Sequence, residues 1–93
     1  MVVEVFWTNN AVATYNKVLD YLEVNWPKKV TIDFVSKTHK IIDLLSTGNI
    51  KFRSSGKENV YEVLITKHNL LIYRIKSTHI ELLRFYDTRQ HPR

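Results

Sequence analysis

Lys51 and Arg53 stand two residues apart, and Arg84, Tyr86, Arg89, His91 and Arg93 crowd the last ten residues of the chain. On an extended backbone a spacing of two places both side chains on one face, so Lys51 and Arg53 form a small cationic pair. Ammonium and guanidinium groups neutralise phosphates, and Tyr or His rings stack on unpaired bases. Arg84, Tyr86, Arg89, His91 and Arg93 are therefore candidates for contact with a large anionic target. The same groups are also the kinds needed to cut RNA. A base would activate the 2′-hydroxyl, an acid would protonate the leaving oxygen, and an arginine would hold the charge of the phosphorane. In that scheme His91 and Tyr86 move the protons, Arg89 supplies the electrostatics, and Lys51 and Arg53 hold phosphate. The plainer alternative is a solvated basic tail, because long cationic side chains are mostly exposed. Burial of the tail is not expected, since its cations would need partners that the chain scarcely offers.

Other chemistries find less support. His39, His68, His79 and His91 are scattered, and only His39 with Asp43 has a helical ligand spacing, which at a surface is an ordinary solvated pair. No metal is expected. Glycines only at 48 and 56 exclude a dinucleotide fingerprint and a phosphate loop, and no serine sits in an elbow motif. The absence of cysteine excludes disulfides, thiolate catalysis and Cys-based zinc sites. No cofactor is expected. A chain of 93 residues makes one domain, 1–93, too small to enclose a deep small-molecule site. With no basic leader, no long apolar run and no cysteine, the expectation is a cytoplasmic protein without a membrane partner.

Charge is unevenly spread. Residues 1–50 carry five Lys or Arg and five Asp or Glu; residues 51–93 carry nine and four, so the whole excess of +5 lies in the second half. That asymmetry suits one face meeting a polyanion or an acidic protein.

Two helices and a meander must position these groups. Val2–Trp7 alternates and is rich in β-branched and aromatic residues, which predicts a strand. Thr8 is a natural N-cap. From Asn10 to Asn25, Ala11, Tyr15, Val18 and Leu22 form an apolar stripe widened by Val12 and Leu19, with Lys17, Asp20 and Glu23 on the wet side. Trp26-Pro27 breaks the helix, Pro27 suiting the first position of the next. A second helix is predicted from about Lys28 to Ser46 on Val30, Phe34, Ile41 and Leu45, stopped by Gly48. So short a break predicts an antiparallel helical hairpin. Ile50–Arg53 is an extended piece. Strands over Val60–Thr66, Leu70–Lys76 and His79–Phe85, turning at Lys67-His68-Asn69 and Ser77-Thr78, form a three-strand meander. Tyr61 and Tyr73 on these strands are expected in the core, with hydroxyls at its rim. The fold class is α+β, in the order β-α-α-β-β-β, with the helical hairpin packed on an antiparallel sheet that the first strand joins.

This ordered set resembles the RelE/ParE superfamily, the toxins of bacterial type II toxin–antitoxin systems. The strings that carry the resemblance are VFWT, AVATYNKVLDYLEVNW, KIIDLLSTGN, VYEVLITKHNLLIYRI with Tyr73, and the closing ELLRFYDTRQHPR. Nearly the whole chain is covered. The resemblance implies a cognate antitoxin whose C-terminal segment wraps the toxin, and one of two targets. RelE-like members cut mRNA on the ribosome; ParE-like members poison DNA gyrase and are not nucleases. The nuclease branch uses cations on the two central strands and an arginine after the last strand. Aligned on Tyr73, two strand lysines fall on Tyr61 and Val63 and a strand arginine on Leu70, while Arg89 matches the tail arginine. The missing cations place the chain nearer the ParE-like branch, with plasmid stabilisation and growth inhibition as the implied roles. Lys51 and Arg53 keep the nuclease alternative open, as substitutes from the neighbouring piece.

Overall fold

The first turn of helix is set by one hydroxyl. Thr8 is extended, with φ −71° and ψ 162°, and its Oγ1 accepts from the amide of Ala11 at 3.1 Å, satisfying one of the free donors at a helix start. The same hydroxyl donates to the carbonyl of Leu82 at 2.8 Å, so the cap also ties the helix start to the last strand. The computed structural model describes residues 2–90. In chain order they form β1 (Glu4–Trp7), α1 (Asn9–Asn25), α2 (Lys28–Ser46), β2 (Arg53–Ser54), β3 (Val60–Thr66), β4 (Asn69–Ile75) and β5 (His79–Asp87).

The helix break follows the predicted chemistry. Trp26 ends α1 in extended geometry, as a residue before proline must, and Pro27 is the N-cap of α2 rather than its first residue. Gly48 adopts φ 75°, the left-handed stop that a side chain would resist, and its amide donates to Leu45 O at 3.1 Å. Among the described residues no helix is long and apolar enough to cross a membrane.

The five strands make one sheet in the order β1-β5-β4-β3-β2. The α+β architecture and the C-terminal meander are as predicted, with two refinements. β1 joins parallel to β5, so the sheet is mixed, and Arg53–Ser54 closes its far edge as a fifth strand. β5 runs two residues beyond the predicted end because Tyr86 pairs with Leu70 and Asp87 with Asn69. Asn69 accordingly belongs to β4 and not to the turn.

One face of the sheet lies under the helices. Ala11, Val18 and Leu22 of α1, Phe34 and Leu45 of α2, and Val63, Ile65, Leu71, Tyr73, Ile80, Leu82 and Phe85 of the strands form the core. Phe85 is ringed by Trp7, Tyr15 and Phe34, at centroid distances of 5.3, 5.0 and 6.5 Å. Tyr73 is wholly buried; its hydroxyl accepts from the amide of Phe52 at 3.0 Å, and Tyr61 stacks on its ring at 5.7 Å. Burial pushes the Tyr73 phenol above its usual value, more than the Phe52 hydrogen bond lowers it.

Val12 departs from the predicted stripe. It is 46% exposed, and Thr14 is buried in its place. The reason lies in β5, where Ile72 pairs with Arg84 but Tyr73 pairs with Leu82, leaving Leu83 as an extra residue. The bulge sets Phe85 back on the core face, and the amide of Phe85 donates to Thr14 Oγ1 at 2.9 Å. Thr14 in turn donates to Asn10 O at 2.7 Å. A hydroxyl is needed there because an unpaired buried amide is expensive.

Candidate functional site

The pairing register sorts the strand residues by face. Val63, Leu71 and Phe85 stand side by side under the helices; Leu64, Leu70 and Tyr86 stand side by side on the opposite, open face, next to a row of Glu62, Ile72 and Arg84. Leu64 is 59% exposed. The open face is thus an apolar strip with charged residues at its margins. Arg53 of β2 donates through Nε to Glu62 Oε1 at 2.8 Å, with Nη2 on the same oxygen. The guanidinium of Arg84 lies 4.7 Å from the ring centre of half-buried Tyr86. A shallow cleft of about 230 Å³ runs between these groups, lined by Arg53, Glu62, Leu64, Leu70, Tyr86, Asp87 and Thr88.

Tyr61 and Val63 share the helix-covered face with Tyr73 and Leu71. Val63 is buried there and Tyr61 half-buried against Tyr73, so the β3 positions that accompany Leu70 on the open face are Glu62 and Leu64. Neither is cationic. Lys51 is exposed just before β2, and Arg53 is exposed but engaged by Glu62.

The tail differs from its expectation. Arg89 does have a partner: Asp87, whose side chain is wholly buried at the end of β5 on the helix side of the sheet. Arg89 donates through Nε to Oδ1 at 3.1 Å and through Nη2 to Oδ2 at 2.7 Å, and its amide donates to Oδ1 at 2.8 Å. Asn69 Nδ2 adds a further donor to Oδ2 at 2.8 Å, and Asn69 Oδ1 accepts from Thr66 Oγ1 at 2.6 Å. The Arg89 guanidinium lies 4.7 Å from the Trp26 ring centre and 6.0 Å from that of Tyr21, at the tip of the helical hairpin. The backbone is fastened too, by the amide of Thr88 on His68 O at 2.9 Å.

This latch tunes both charges. Burial alone would raise the Asp87 carboxyl, but hydrogen bonds from the Arg89 side chain and amide and from Asn69, with the Arg89 charge, hold it below its usual value. The Asp87 carboxylate correspondingly raises Arg89. Asp87, Asn69, Thr66, Tyr21 and Trp26 escaped the sequence reading; the one local signal was Asp-Thr-Arg at the end of a strand, a carboxylate two residues before a guanidinium.

Of the predicted site residues, Arg84, Tyr86 and Arg53 border the open face, Lys51 lies just before β2, and Arg89 is turned to the helix side. His91 and Arg93 lie outside the described residues.

No family model and no curated protein matches the chain in sequence. Solved structures do match in shape. The chain is similar to a chain from the chromosomal ParDE TA system of P. aeruginosa, with a TM-score of 0.76 at 18% identity over 92% of this chain and 96% of that one. It is similar to a chain of the E. coli DinJ-YafQ toxin–antitoxin complex, with a TM-score of 0.69 at 7% identity over 100% of both. It is also similar to the YoeB dimer from Staphylococcus aureus, with a TM-score of 0.59 at 15% identity over 90% and 94%. At these identities the likeness is one of fold: the chain shares its α+β architecture with chains of toxin–antitoxin systems, in keeping with the fold expected from the ordered strings.

Proposed function

We propose that the chain is the toxin of a type II toxin–antitoxin system, of the ParE-like kind, acting by protein–protein contact on DNA gyrase and neutralised by a cognate antitoxin. The observation that carries this reading is the open sheet face: Leu70, where the resemblance would put a strand arginine, and its β3 neighbours Glu62 and Leu64 are not cations, and Arg89 is committed to Asp87. An apolar strip flanked by arginines suits a protein segment with apolar and acidic residues better than it suits a bare phosphate backbone. The similarity in shape to a chain of a ParDE system adds weight.

The test is induced expression in a host, followed by a supercoiling assay. Growth arrest with DNA damage, and inhibition of gyrase by purified protein, are the expected results. Gyrase that supercoils normally in the presence of micromolar protein overturns the target assignment. Leu64→Asp should weaken both gyrase inhibition and antitoxin capture without unfolding the protein. Ribosome-dependent mRNA cleavage is the second reading, favoured by one observation: Arg84 stacked on Tyr86 on the open face. It requires message cutting in a translating extract that Tyr86→Phe reduces.

A further inference from the structure

A cavity on the other side of the sheet, away from the open face, has a different chemistry. It measures about 360 Å³ and lies between α2, the β3–β4 turn and the latch, lined by Val30, Asp33 and Lys37 of α2, Thr66–Asn69, and Arg89. That volume falls within the range of sites for small ligands. Its lining brings together Lys37, Lys67 and Arg89 with His68, against Asp33 alone, since Asp87 is already occupied by Arg89.

The donors in this cavity are only partly used. Arg89 spends Nε and Nη2 on Asp87, and among the described residues Nη1 has no acceptor. The Lys67 ammonium and the His68 ring make no hydrogen bond or ion pair among the described residues. Lys37 pairs with Asp33 at 3.2 Å, but both side chains are about half exposed, so that pair is weak and easily exchanged. The frame around these donors is rigid. Asp87 and the Trp26 ring fix Arg89, and the turn is held by Thr88 N on His68 O and by His68 N on Thr66 Oγ1 at 3.1 Å. A cation that is already immobilised loses little entropy on binding, which is the usual basis of preorganised anion recognition.

We propose that this cavity is an oxyanion site, taking a phosphate or a carboxylate between Lys37, Lys67, His68 and the unspent edge of Arg89. The oxyanion is either a free phosphate or the carboxylate of an acidic side chain; the site does not depend on the toxin reading.

The test uses the full chain, ¹⁵N-labelled, titrated by NMR with inorganic phosphate in one arm and N-acetylglutamate amide in the other. Saturable shifts at Lys67, His68 and Arg89 are expected with at least one probe, and the stronger arm identifies the source. In Lys37→Ala/Lys67→Ala the affinity should fall by about tenfold or more, as two charge-assisted contacts are lost. Lys57→Ala/Lys76→Ala lowers the net charge equally on remote exposed residues and should leave affinity within about twofold, the small residue of screened long-range attraction. Asp33→Asn releases Lys37 and should tighten binding several-fold, whereas Glu58→Gln should not. Non-saturable shifts spread over all the basic surface, or equal losses in the two double-lysine variants, overturn the site. Because all the substituted residues are exposed, amide spectra that retain the wild-type dispersion separate loss of binding from loss of fold.

Discussion

Two arginine–carboxylate pairs sit on opposite faces of the same sheet, and they differ in everything but their chemistry. Arg53 and Glu62 meet on the open face with the arginine side chain 78% exposed and the glutamate 19%. Arg89 and Asp87 meet on the helix side with exposures of 20% and 0%. Water screens the first pair and competes for both partners. The second is enclosed by Asn69, the Arg89 amide and two aromatic rings, so every lone pair of the carboxylate has a use. The contrast separates two settings for a basic residue in a small domain: one holds the segment just after β5 against the helices, the other stands open to solvent.

The same contrast runs along the strands and sets the largest expected effect. Leu71 is wholly buried under the helices, whereas Leu64 on the open face is 59% exposed. Leu71→Ala should destabilise by about 2–5 kcal/mol, through lost burial and the cavity left behind, and Leu64→Ala by less than about 1 kcal/mol. Urea midpoints of the two variants measure both. Equal losses would mean that the open face is itself packed in the free protein, and would remove the case for it as a contact surface.

Next in size is the latch. Arg89→Ala strands the Asp87 carboxylate in a buried site and should destabilise by about 2–3 kcal/mol, below the full effect for a deeply buried pair because Arg89 keeps some exposure. Loss of activity in this variant would then follow loss of the docked tail, not loss of a cation that reads the target. Arg89→Lys discriminates: it keeps the charge but not the two-point grip, and should recover less than half of the stability.

Acid probes the latch more finely. The Asp87 carboxyl lies below its usual 3.8 in the folded chain, so in acid the unfolded chain binds the proton more readily. The stabilisation is complete above the unfolded value, near pH 4, and is lost as pH falls through the lower folded value. Wild-type stability should therefore fall steeply below about pH 4, and the acid limb of Asp87→Asn should be flatter. Identical slopes in urea melts across that range would assign the acid sensitivity to other carboxylates.

These elements were not equally legible in the sequence. β3 was predicted over Val60–Thr66 as observed, because its apolar alternation and its flanking turns agree. The α1 stripe was legible at Ala11, Val18 and Leu22, but Thr14 was not, since its burial answers an amide on β5 opened by a bulge 71 residues away. The latch was hidden for a related reason. Asp87 and Arg89 are two charged residues in a run that looks solvated, and only the approach of Asn69, Trp26 and Tyr21 makes the carboxylate an interior group. The missing cations of the open face could be suspected from Leu70 alone, yet their β3 counterparts are Glu62 and Leu64, because face assignment depends on register and a single residue inverts it.

The smallest expected effect is the one that tests the comparison most directly. A double-mutant cycle on Arg53→Ala and Glu62→Ala should give a coupling below about 1 kcal/mol, since an exposed pair gains little over its hydrated partners. That coupling should shrink further in high salt, where the screening length falls to about 3 Å at 1 M. The matching cycle on Arg89→Ala and Asp87→Ala should give a larger coupling that salt changes less, because the Asp87 carboxylate is wholly buried and Arg89 mostly so. If both couplings are small and both salt-sensitive, the latch is no more than a second surface pair, and the division of labour between the two faces fails. If the Arg53–Glu62 coupling is near zero while either single variant weakens capture of an antitoxin, the pair is held for recognition and not for stability. An edge strand of two residues can carry such a pair because its β2–β3 pairing is already fixed by the backbone, at Arg53 with Glu62 and Ser54 with Tyr61.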